Sequence, residues 1–152
     1  MASTMIEEAV LSRQSIEDAF VALERLAAVG SLVLLRGLRS AAYSATVSTD
    51  PDQILSEAMA ERDGTAIEAS RSQGSRKLDT RAIARLESAR EEHHADWLIA
   101  TEGTLASARV CQGLRVICLG PGDDQFDPTR PDYRARSLLD AARFIETSAA
   151  FA

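Results

Sequence analysis

Two short runs, the wholly apolar Leu32-Val33-Leu34-Leu35 and the strand expected over Leu114 to Leu119 with its apolar Val116-Ile117-Cys118-Leu119, constrain the fold of this chain more than any other feature. Glycine punctuates both: Gly30 precedes the first, and Gly113 and Gly120 bracket the second. An unbroken apolar run of about four to eight residues between turn signals is the pattern of a strand covered on both faces. Trp97-Leu98-Ile99-Ala100 reads the same way, and Thr65-Ala66-Ile67-Glu68-Ala69, following the Asp63-Gly64 turn, reads as a briefer strand.

Stretches of helical periodicity separate these runs. Ile6, Val10, Ile16, Phe20, Leu23 and Ala27 recur at helical intervals, so residues 1–29 are expected to form a helical segment, with Thr4 and Glu7 spaced as a capping box and a break near Ser12 to Ser15. The small, polar stretch from Ser40 to Thr49 reads as a loop, and Asp50-Pro51 opens a second helix with Ile54, Leu55, Ala58 and Met59 as its buried stripe. Asp79 is placed to cap a third helix carrying Ile83, Leu86 and Ala89 inward. A fourth helix follows Thr101 and a last one is expected over 133–148. Strands joined by helices need crossover connections, which makes them parallel. The expected fold is therefore one α/β domain over 1–152, a three-layer Rossmann-like sandwich with a mostly parallel sheet of about four strands.

Charge and composition narrow the function classes. The net charge of −6 disfavours nucleic-acid binding through a broad basic surface, since phosphate binding needs dense local cations. Of the 17 cationic residues only Lys77 is a lysine, the usage of a GC-rich bacterial coding sequence and a supply of guanidinium groups suited to carboxylate or phosphate. No basic segment with an apolar core opens the chain and no apolar run approaches a membrane span, so a cytoplasmic location is expected, with Cys111 and Cys118 as reduced core thiols.

In an open parallel sheet, ligands bind beyond the carboxyl ends of the strands, where helix N-termini present unpaired N–H groups. Four loops qualify: Arg36 to Arg39, Ser70 to Lys77, Thr101 to Thr104, and Gly120 to Asp124. Thr101-Glu102-Gly103-Thr104 combines a carboxylate, a glycine that allows close approach, and hydroxyls at a helix start. Glu102 and Asp79 are the expected catalytic acids; Arg36, Arg71, Arg76, Thr101, Gly103, Thr104 and Gly120 are the expected ligand-binding residues. Arg71, Arg76, Lys77, Arg81 and Arg85 form the one basic concentration, readable as phosphate contacts or as ion pairs with Glu87 and Glu91. His93-His94 beside Glu91 and Glu92 reads as a solvated helix end, because consecutive helical residues diverge by about 100°. Asp123, Asp124, Asp127 and Asp132 could hold Ca²⁺ or Mg²⁺ but lack the spacing and closing glutamate of an EF-hand loop, and read as a solvated loop with modest metal potential. No P-loop, dinucleotide fingerprint or nucleophile elbow is present.

Thr101-Glu102, Leu105, Ala108, Gly113 and Val116-Ile117, with Asp79 heading the previous helix, are similar to the last part of PIN-like nucleases. That resemblance implies acids holding a divalent metal for RNA cleavage, but such a domain ends its first strand in aspartate, and here Leu35 is followed by Arg36. Ala95 to Ile99, Glu102 to Thr104, Val116-Ile117 and Gly120-Pro121 also resemble the nucleotide-sugar-binding half of some glycosyltransferases, whose second half this chain has no length to supply. Both resemblances rest on the same stretch, so the shared pattern is generic strand–helix–strand grammar. The expected function is binding of a phosphorylated or nucleotide-like small molecule at the sheet's carboxyl edge, with metal, cofactor and reaction unassigned. The alternatives are a homo-oligomeric assembly subunit, with contacts from the N-terminal helix and the apolar C-terminus, and a PIN-like metal-dependent ribonuclease.

Overall fold

The computed structural model describes residues 3–59, 78–120 and 130–150. Within them the strands are β1 (Ser3–Glu7), β2 (Leu32–Arg36), β3 (Ser44–Ser48), β4 (Ala95–Ala100), β5 (Arg115–Leu119) and β6 (Tyr133–Ala135). The helices are α1 (Glu8–Ser12), α2 (Ile16–Val29), α3 (Pro51–Met59), α4 (Thr80–His93), α5 (Glu102–Val110) and α6 (Leu138–Ala150). They build one six-stranded sheet in the order β3-β2-β1-β4-β5-β6, parallel throughout except for the antiparallel β2–β3 pair.

The α/β class and the mostly parallel sheet expected from the sequence are thus present, but the sheet has six strands rather than about four. The largest correction falls on 1–29, where Ser3–Glu7 is a strand and not the start of a helix. It lies between β2 and β4, with Thr4, Met5 and Ile6 fully buried. A strand covered on both faces shows no alternation of polar and apolar residues. Its Ile6 also stands four residues from Val10, on α1, which imitates a helical interval. Thr4 and Glu7 accordingly form no capping box. Ser15 caps α2 instead, its side chain accepting from the Asp18 N–H.

The other two missed strands lie at the sheet's edges. β3 is polar because it is partly exposed, and its five-residue register with β2 supplies what its composition does not. Residues 133–135 are strand β6 rather than helix, and α6 begins only after Ser137, whose hydroxyl accepts from the Asp140 N–H. The expected strand at Thr65–Ala69 lies outside the described residues. The caps expected of Asp50 and Asp79 are in place: Asp50 accepts from Asp52 N–H, and Asp79 from the N–H groups of Arg81 and Ala82.

The sheet carries a core on each face. Ile6, Leu34, Ile99 and Ile117 point to the side covered by α1, α2, α3 and α6. On that side Phe144 stacks on Tyr133 at 4.0 Å and meets Trp97 edge-on at 5.7 Å. Met5, Val33, Leu35, Leu98, Ala100 and Val116 point the other way, under α4 and α5. Because β1 contributes to both cores at the middle of the sheet, truncating it is expected to be costly. Ile6→Ala should lower the unfolding free energy by about 2–5 kcal/mol, read as a shift of the urea midpoint; a change below about 1 kcal/mol would contradict a central β1.

Candidate functional site

The chain runs outward from β1 to β2 and β3, then returns to place β4 on β1's other side. The carboxyl ends of β1 and β4 therefore flank the point where the connections diverge, the crevice position of an open parallel sheet. Glu7 ends β1, and Thr101-Glu102 follows β4 into α5.

Register places the groups that meet there. Ile6 pairs with Ile99, Ala100 with Cys118, and Cys118 with Arg134, so Glu7, Ala100, Cys118 and Arg134 form one row across the carboxyl edge. Their neighbours Ile6, Ile99, Ile117 and Tyr133 point to the opposite core, so by strand alternation this row faces α5. The Glu7 carboxylate accepts from the Thr101 N–H at 2.8 Å, the Thr101 hydroxyl at 3.1 Å and the Thr104 hydroxyl at 2.7 Å. An internal carboxylate thus takes the helix N-terminus that the sequence offers to a ligand's phosphate, where the peptide dipoles favour negative charge. Thr101 does not cap the helix with its own side chain, as simple capping would require; its hydroxyl serves Glu7.

On the β5–β6 side, Glu102 Oε2 accepts from Arg134 at 2.8 Å and from the Cys118 thiol at 3.3 Å. Burial, reinforced by the Glu102 hydrogen bond, pushes the Cys118 thiol up to about 12, so it is a hydrogen-bond donor and not a nucleophile at neutral pH. Cys111, buried and near Glu87, is pushed up to about 11. Both cysteines are unpaired and buried.

On the β2 side, Arg39 donates to the Gly103 carbonyl, and its Nε lies 3.9 Å from Asp79 Oδ2. The loop that carries Arg39 is held from α4: Arg85 donates to the carbonyls of Gly37, Leu38 and Ser40 and lies over the Tyr43 ring. Gly37 turns this loop at φ +62°, and a Cβ there would come within 3.1 Å of the Ala42 carbonyl oxygen.

Of the expected site residues, Thr101, Glu102, Gly103 and Thr104 stand together in the first turn of α5. Asp79 and Glu102 flank that turn from opposite sides, each beside its own arginine, Arg39 or Arg134. Asp79 also donates its N–H to Ser107 Oγ, tying α4 to α5. Arg36 turns away toward α3, where it donates to the Glu57 carbonyl at 3.0 Å and pairs with its carboxylate at 3.4 Å. Gly120 leaves β5 at φ +104°, its N–H donating to Ala135 O. Arg71 and Arg76 lie outside the described residues, as do Asp123, Asp124 and Asp127. Asp132 pairs with Arg109 at 2.7 Å and accepts from the Val116 N–H. His94 ends α4 in the left-handed conformation, at φ 51°.

Comparisons with family profiles, with curated proteins and with solved structures find no match. The site is therefore read from its own geometry. Among the described residues, no three acidic, histidine or cysteine side chains gather into a set that would hold a metal ion. No helix among them is long and apolar enough to cross a membrane.

Sequence reasoning missed Glu7, Arg39, Cys118 and Arg134. Glu7 reads in the sequence only as part of a capping box, Arg39 only as the end of the loop Arg36 to Arg39 and Cys118 only as a core thiol, while Arg134 leaves no signal; their meeting depends on strand register and a loop path.

The buried thiols give a pH dependence. Below about pH 9, the ordinary thiol value, Cys111 and Cys118 are protonated in both folded and unfolded chains. Above it the unfolded chain ionises first, so stability should fall as pH rises from about 9 toward the folded values of about 11 and 12. Urea midpoints across that range, taken with a reductant, should decline, and Cys118→Ala should flatten the decline; equal slopes for the two proteins would refute the buried thiol.

Proposed function

We propose that this protein binds a small anionic molecule, of the phosphorylated or nucleotide-like class, above the β1–β4 junction of a Rossmann-like sheet. One observation carries the reading: two guanidinium groups from opposite sides of the sheet, Arg39 and Arg134, converge on the first turn of α5 at the crevice position. Planar guanidinium forks suit phosphate and carboxylate oxygens. Because Glu7 takes the Thr101 N–H and the Thr101 and Thr104 hydroxyls at the helix start, the ligand's anionic group is assigned to these two arginines. A reducing cytoplasm suits the two unpaired thiols.

Calorimetry with inorganic phosphate and with AMP, on the full chain, tests this reading. Saturable binding is expected, with a rise in melting temperature that grows with ligand concentration. Arg39→Gln and Arg134→Gln should each weaken binding about tenfold or more, about 1.4 kcal/mol. No heat and no melting shift with either compound would overturn the proposal.

The metal-dependent ribonuclease reading has one observation in its favour. The first strand in chain order is β1, not β2, and it ends in an acid, Glu7, where the resemblance asks for aspartate. Among the described residues the acids do not gather into a metal-holding set, and Asp79 and Glu102 lie beside separate arginines, so this reading requires ligands from elsewhere; on it Mg²⁺ or Mn²⁺ would stimulate RNA cleavage and Glu102→Gln would abolish it. Absence of Mg²⁺ and Mn²⁺ binding by calorimetry would remove it.

A further inference from the structure

Among the described residues, the two edges of the sheet are built differently. β6 is three residues long and carries Arg134, with Arg136 just beyond it, features that discourage pairing with another chain. β3 is five residues of unbroken register with β2, Ser44-Ala45-Thr46-Val47-Ser48, and has no charge, no proline and no bulge. Among the described residues the sheet order ends at β3, and Val47 is 44% exposed there. An uncharged strand at a sheet edge leaves a row of backbone N–H and C=O groups ready for another strand.

We propose that β3 is a dimerisation edge and that its partner is β3 of a second copy, paired antiparallel about a twofold axis at Thr46. The sequence of the strand selects this occupant, because it is nearly palindromic. Antiparallel pairing about Thr46 sets Ser44 against the partner's Ser48, Ala45 against the partner's Val47, and Thr46 against the partner's Thr46. Small β-branched and hydroxyl pairs of this kind are favourable across strands, and a twofold interface requires the same patch on both copies. One step outward Tyr43 meets the partner's Thr49, and Ala42 meets the partner's Asp50, so no two like charges face each other although each chain carries −6. The partner's Ala45 covers the exposed Val47, and the two sheets become one continuous sheet joined by about four to six backbone hydrogen bonds. A single strand pair buries less than the about 1,200–2,000 Å² of a standard stable interface, so the dimer is weak and depends on concentration.

Sedimentation velocity from low-micromolar to millimolar protein tests the proposal. The native chain should move from the mass of one chain to that of two as concentration rises. Val47→Lys, which places two cations in the interface at an exposed position, should remain a monomer at the highest concentration while keeping the native circular dichroism spectrum. A separate variant, Thr46→Cys, should form a covalent dimer on mild oxidation, because residues on the axis bring their Cβ atoms within about 4.5–5.5 Å. Ile16→Cys, at a more exposed position on α2, should not. A native chain that stays monomeric throughout would overturn the proposal. So would a dimer that survives Val47→Lys undiminished and is not trapped by Thr46→Cys, since it would then use another surface.

Discussion

The carboxylate of Glu7, received by the first turn of α5, joins the beginning of the chain to residues 94 and 97 positions later. Such a contact closes a long loop, and its three hydrogen bonds act at a point where two other constraints meet. β1 is the central strand, between β2 and β4, and α5 begins where β4 ends. A negative charge at that helix start is favoured by the peptide dipoles, and the oxygen atoms satisfy N–H and O–H groups that burial would otherwise leave unpaired.

The rest of the carboxyl edge is arranged around that turn. Glu102, the first residue of α5, is drawn toward β5 and β6 by Cys118 and Arg134. Gly103 is reached from the β2 side by Arg39, on a loop that Arg85 holds through three carbonyls. Asp79 fastens α4 to α5 through Ser107. Glu7, Asp79, Glu102, Arg39 and Arg134 are therefore each fastened to α5, whereas Arg36 pairs with Glu57 on α3. The partly buried Arg134–Glu102 pair, with Arg134 only 14% exposed, is screened less than a solvent-exposed pair would be.

Parts of this arrangement are legible in the order of residues alone. β2, β4 and β5 stand out as apolar runs between turn residues, and Asp50 and Asp79 as caps, because those signals are local. The turn Thr101–Thr104 can be singled out for the same reason. β1 cannot be read that way, since full burial erases the alternation that marks a strand and its Ile6 stands at a helical interval from Val10. β3 and β6 are equally hidden: β3 is polar and takes its register from β2, and β6 is too short to show a period.

By itself, the sequence determined the α/β class, the parallel grammar of its central strands and the caps of two helices. All of these follow from local hydrophobic periodicity and capping. Only the tertiary structure decided that β1 lies at the centre, that Glu7 fills the helix N-terminus, and that Asp79 and Glu102 face different arginines. Those outcomes depend on register and strand order, which are set by which buried faces pack together over the whole chain, and no window of neighbouring residues encodes them.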